Sequence, residues 1–331
     1  MSCSRLLAST RAACLCALAL FGAASALSQS LVLTQTIDLP GVKGRIDHLD
    51  IDLEGNRLFV AALAAGSLEV VDLSTGRRIA RFARLSEPQG VAYLPAHQRV
   101  VVASGGSGRV EAYESVPSAV ASVGSLDDAD NIRLDARSDR LYVGYGHALA
   151  VLDAHTLGLK GRIALPGHPE AFELEPSGRR VFVNVPSAAQ IAVVDRDTGT
   201  VASTWQVTGA AGNFAMALDG PSNRLYIAAR RPALLQAYDT RTGQRVAELP
   251  ICADADDLFH DVLRRQLYVV CGQGVVDVVR ERGIDRFEAA EQLPTSPGAR
   301  TGLFVPRLST LFVAVPAHAG TAAQIRAYTV R

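Results

Sequence analysis

The stretch RLYVGYG, residues 140–146, is one copy of a pattern that the chain writes seven times. A polar head, usually arginine, leads a run of β-branched, aliphatic and aromatic residues. The other copies are RLFVAAL at 57–63, RVVVASG at 99–105, RVFVNVP at 180–186, RLYIAAR at 224–230, QLYVVCG at 266–272 and TLFVAVP at 310–316. Successive copies start 40 to 44 residues apart. Short runs of this composition, bounded by turn residues, suit buried strands. A period near forty is the length of one four-stranded antiparallel sheet. Sheets repeated at that period close radially, leaving only short protected edges. The expected fold is therefore all-β, a seven-bladed β-propeller.

Working outward from that strand, one parse serves each repeat. A first strand precedes it and opens on a polar cluster, IDHLDID at 46–52 being the type, followed by a turn such as Glu54-Gly55-Asn56. A third strand follows: SLEVVDL, RVEAYES, ALAVLDA, QIAVVDR, LLQAYDT, GVVDVVR and QIRAYTV in chain order. It commonly ends in Asp and a Thr-Gly turn (72–76, 195–199, 239–243), where the carboxylate accepts backbone N–H groups and glycine turns left-handed. The fourth strand is the outer edge, as in RRIARF at 77–82. The last repeat stops after its third strand, at Arg331. Its missing fourth strand is available at the other end of the chain, LVLTQTIDL at 31–39, and pairing the two closes the ring.

Residues 1–26 read as a secretory signal peptide. Arg5 and Arg11 make a positive start, residues 12–24 are apolar but too few to span a bilayer, and Ala24-Ser25-Ala26 fits a small-x-small cleavage site. Residues 27–331 then form a single propeller domain, periplasmic or secreted, with no membrane span and expected as a monomer. Cys3, Cys14 and Cys16 leave with the leader, so Cys252 and Cys271 remain. In an oxidising compartment such a pair is a disulfide candidate, and equally two small buried residues that never meet.

Composition, at 48% hydrophobic and 20% charged, is that of a protein with a large core. Formal net charge is zero, and Lys43 and Lys160 are the only lysines. A nucleic-acid partner normally requires a basic face, so none is expected.

With its Leu-Tyr/Phe-Val second strands, Val-Val-Asp-x-x-Thr-Gly third-strand ends and Pro-x-Gly or Asp-x-Asp openings, the chain resembles the YVTN-type, YncE-like exported seven-bladed propellers. The resemblance covers essentially residues 27–331. It implies a periplasmic or surface propeller and no particular activity. Part of the family carries a DNA-binding label, which the neutral charge does not support.

Candidate chemistry lies where each first strand begins. Registered on the second strand, equivalent positions hold Asp47, Gln89, Asp130, Glu170, Phe214, Asp256 and Arg300, with His48, Asn131, His168, Asn213 and Asp257 beside them. First strands line a propeller's channel, so these groups are expected to crowd one mouth. Asp47, His48, Gln89, Asp130, Asn131, His168 and Arg300 are ligand-binding candidates, with Arg300 suited to a carboxylate, lactone or phosphate oxygen. Glu170, Asn213 and Asp257 are metal candidates, for one divalent cation such as calcium. The same polar groups could instead bond loop backbone and water.

Two functions compete. One is a binding or protein-interaction platform for a small molecule or a periplasmic protein, without turnover. The other is a metal-dependent, lactonase-like hydrolase resembling gluconolactonase-type propellers. That second resemblance implies Glu170, Asn131, Asn213 and Asp257 as ligands and Asp130 or His48 as base, with the metal polarising a lactone carbonyl. No haem-attachment, nucleophile-elbow or phosphate-loop motif occurs.

Overall fold

The computed structural model describes residues 29–114, 118–318 and 320–331; the signal-peptide expectation for residues 1–26 lies outside them. Seven four-stranded antiparallel sheets form the blades of a β-propeller. In blade 1 the strands run Leu49–Asp52, Arg57–Ala62, Ser67–Asp72 and Arg77–Ala83, from the channel outward. Blades 2 to 6 repeat this order over residues 88–123, 132–164, 172–206, 211–250 and 255–294.

Blade 7 takes Gly302–Val305, Thr310–Val315 and Gln324–Val330 from the end of the chain and Leu31–Asp38 from its start. The pairing runs from Leu31 opposite Val330 to Asp38 opposite Gln324, with one bulge between Leu33 and Gln35. The expected closure is therefore present.

Period-two alternation explains why the blades stack. Leu58 and Val60 point into a cluster shared with Phe312 and Ile325 of blade 7. Phe59, between them, points into a cluster shared with Val100, Val102 and Tyr113 of blade 2. Seven such clusters occur among the described residues, one at each junction between neighbouring blades. Burying both faces of every second strand is what the near-continuous apolar runs are for.

Local chemistry matches the parse. Asp72 Oδ1 accepts the N–H groups of Ser74 and Thr75 at 2.8 and 3.0 Å, and Gly76 has φ 64°. Asp195 repeats this with Asp197 and Thr198, and Gly199 has φ 66°. The polar head of the second strand has a structural task too: Arg57 Nη2 lies 2.7 Å from Asp52 Oδ2, across the turn that joins the first two strands. Cys252 and Cys271 form a disulfide with Cα atoms 6.0 Å apart, joining the segment that enters blade 6 to that blade's second strand.

Candidate functional site

The first strands of neighbouring blades converge on the axis but belong to separate sheets. Side chains and close backbone contacts bridge them. Asp50 Oδ2 in blade 1 accepts the N–H of Tyr93 in blade 2 at 2.6 Å. Asp257 Oδ2 in blade 6 accepts the N–H of Gly302 in blade 7 at 2.8 Å. Thr301 donates to the carbonyl of Ile46 at 3.2 Å, tying blade 7 to the segment entering blade 1. At Gly90 blades 2 and 3 approach so closely that a Cβ would lie 2.1 Å from the carbonyl oxygen of Asp130.

Repetition places the registered polar residues together at the mouth. His48 sits at their centre: its Nε2 is 3.7 Å from both Asp47 Oδ1 and Asp130 Oδ1, and its Nδ1 is 3.8 Å from Asp257 Oδ1. Three arginines stand around these acids. Arg45 Nη2 is 2.8 Å from Asp47 Oδ2 and 3.9 Å from Asp256 Oδ2. Arg230 pairs with Asp256 and lies over the Phe214 ring, 3.6 Å from its centroid. Arg300 Nη2 reaches Asp254 Oδ2 at 2.9 Å.

Burial governs the protonation of this cluster. It raises Asp130 well above the usual carboxylate range, and the charges of Asp47 and Glu170 push the same way. Glu170 rises to about 7, from burial and then the nearby Asp256. Asp257 rises to about 8, from burial, against the hydrogen bond from Gly302. Asp47 and Asp256 also rise with burial, opposed chiefly by Arg45 and Arg230 respectively. His48 falls to about 4, because burial and then Arg133 disfavour the imidazolium. One oxygen in the cluster, Asp130 Oδ1, is buried without a hydrogen-bond partner, whereas Asp47 Oδ2 is ion-paired with Arg45.

Asp47, His48, Asp130, Glu170 and Asp257 are thus brought together, with Asn131 beside them bonded to Arg133 at 3.2 Å. Arg300 joins the mouth through Asp254. Gln89 and His168 stand further out: Gln89 Nε2 donates to Asp128 Oδ1 at 3.2 Å, and His168 Nδ1 lies 3.0 Å from the carbonyl of Gly146 and 3.6 Å from Asp128 Oδ2.

Asn213 departs from expectation. It is fully buried, and its Nδ2 donates to Asn184 Oδ1 at 2.8 Å and to the Gln190 carbonyl at 3.0 Å, tying blade 5 to blade 4. A bulge between Asn213 and Ala215 shifts its strand's register there. The expected metal set of Glu170, Asn131, Asn213 and Asp257 is therefore not assembled. Among the described residues, no three His, Cys, Asp or Glu side chains are placed to share one metal ion.

The sequence pattern missed Arg45, Arg230 and Asp254 at the mouth, and Asp50, Arg133 and Glu173 deeper in the channel. The deeper ones carried a signal. Asp50 and Arg133 fall two positions after His48 and Asn131, and strand alternation returns such residues to one face. Arg45 and Asp254 lie in entry segments and Arg230 at a strand end, with no pattern to mark them.

No protein-family model matches this chain, and no curated protein does. Among solved structures, it is similar to a chain of the mitotic checkpoint complex at 14% identity and TM-score 0.78, covering 99% of both chains. It is also similar to a chain of Kuenenia stuttgartiensis hydrazine synthase at 15% identity and TM-score 0.73, covering 87% of this chain and 98% of that one. At these identities the likeness is one of fold, and the fold is that of a seven-bladed β-propeller.

Proposed function

We propose that this chain is an exported propeller of the YVTN type, working in the periplasm or outside the cell as a binding platform whose ligand enters at the charged mouth. One observation carries this reading. Asp130 Oδ1 is buried and unpartnered beside a neutral imidazole, and an unpaired buried polar atom is costly unless something uses it. Perturbed ionisable groups gathered in a cleft mark functional sites more often than chance.

Thermal-shift titration of the protein against small organic acids, amines and divalent cations tests the platform. One compound class should raise the melting temperature of the wild type and not of Asp130→Asn or His48→Gln. A panel without effect on the wild type sinks the reading. Export is tested separately, by fractionating cells that express the chain from Met1.

A metal-dependent lactonase-like hydrolase is the second reading. Its support is that Glu170 and Asp257, raised to about 7 and about 8, lie where an acid-base catalyst works near neutral pH. It requires lactone turnover that a chelator abolishes, which a binding platform would not show.

A further inference from the structure

The channel below the mouth holds a cavity of about 280 Å³ that is open to solvent. Its ionisable lining comes from five blades: His48 and Asp50, Tyr93, Arg133, Glu173 and Asp257. Phe259 and Leu303 supply apolar wall. We propose that this chamber binds a small organic acid, its carboxylate held by Arg133 and its short apolar body against Phe259 and Leu303. The inference rests on the channel being a binding site, and it names the ligand class.

Arg133 carries the argument. It is the only arginine or lysine lining the chamber among the described residues. Its Nη1 donates to Asn131 Oδ1 at 3.2 Å and to the Ile132 carbonyl at 3.0 Å. The Phe172 ring, 5.6 Å from its Cζ, backs the guanidinium. Its closest ion-pair partner is Glu173, with Nε 4.0 Å from Oε1, beyond hydrogen-bond reach. The rest of the fork is therefore held in place with donors to spare. A planar guanidinium matches a carboxylate with two parallel hydrogen bonds, a geometry an amine or amide cannot copy.

The surrounding acids do not forbid an anion. Burial raises Asp257 to about 8, Asp50 to about 6 and Glu173 above its ordinary value. While protonated they are neutral hydrogen-bond donors, and His48, lowered to about 4, is neutral as well. As pH rises they become carboxylates facing the same space and repel the ligand. Binding should therefore take up protons. The volume suits a molecule of roughly nine heavy atoms or fewer, at about 30 Å³ for each water-sized group.

Calorimetric titration with propionate, propionamide and propylamine, at about pH 5.5 and about pH 8.5 to bracket these groups, tests the proposal. Propionate alone should bind, and roughly tenfold or more weakly at the higher pH. Arg133→Gln should abolish binding; Arg133→Lys, which keeps the charge but loses the fork, should weaken it. Leu303→Trp, which fills the chamber, should block it, with the melting temperatures confirming that each variant is folded. Binding of propylamine or propionamide instead, blocked by Leu303→Trp, overturns the organic-acid class and leaves the channel as a binding site. Heat insensitive to Leu303→Trp and Arg133→Lys, or none from any probe, overturns the chamber itself, while the mouth is judged by its own panel.

Discussion

His48 Nδ1 lies 3.8 Å from Asp257 Oδ1, and the two hold their protons in the reverse of the usual order. Burial lowers the imidazole to about 4 and raises the carboxyl to about 8. Between those values the pair is a neutral base beside a neutral acid. Removing water from both charges costs more than their mutual attraction recovers.

This inversion sets a pH dependence. Asp257, Glu170 and Asp50 have raised values, so the folded protein keeps protons that the unfolded chain has lost. Their stabilisation is full below about pH 4 and is lost as pH rises through about 6 for Asp50, about 7 for Glu170 and about 8 for Asp257. His48 opposes them: its stabilisation is present above its ordinary 6.5 and lost as pH falls through about 4. Three acids outweigh one imidazole, so the melting temperature should fall between about pH 5 and about pH 8. Asp257→Asn should flatten that slope and gain on the order of a kcal/mol or more at the alkaline end. A profile rising over this window contradicts the assignment.

The Cys252–Cys271 bond closes a loop of sequence separation 19, which on chain-entropy grounds stabilises by about 3 kcal/mol. Cys252→Ala with Cys271→Ala should lower the denaturation midpoint accordingly. Alkylation under denaturing, non-reducing conditions should label neither residue; two labelled thiols would mean no bond.

Blade 7 depends on the strand Leu31–Asp38, whose Leu31 and Ile37 are fully buried. Ile37→Asp puts an unpaired charge into the cluster between blades 7 and 1. It should cost several kcal/mol, on the order of 3 or more. Deleting residues 31–39 should leave the ring open and protease-sensitive. Unchanged urea midpoints would mean the closing strand is dispensable.

Gly90→Ala brings a Cβ to 2.1 Å from backbone, which cannot swing aside as a side chain can. A cost of about 1–3 kcal/mol is expected, with the carbonyl of Asp130 displaced at the mouth. Chemical denaturation measures the first, and altered ligand-induced melting shifts report the second.

Asn213→Ala separates a structural asparagine from a ligand. Loss of its bonds to Asn184 and Gln190 should destabilise by about 1–3 kcal/mol without altering divalent-cation titrations. A cation heat present in the wild type and absent from this variant, with stability intact, would restore it as a metal ligand.

Much of the site was legible because repetition is geometry. Asp47, Asp130 and Glu170 hold one register point in three repeats, so ring closure had to bring them near each other. Asp50 and Arg133 were readable by carrying the alternation two residues further along the same strands. Asn213 was misread: it lies one position before the registered Phe214, as the buried Ile46 and Ala255 lie before Asp47 and Asp256, and that position faces a blade junction.

Sequence by itself determined the number of blades, the strand order within each and the closure by the first strand. These follow from periodicity and strand count, which need no distances. Only the tertiary structure decided which carboxyls keep their protons, where Asn213 points and that Cys252 meets Cys271. Each depends on burial or separation between residues that folding brings together, and a charge's worth is set by the water removed from around it.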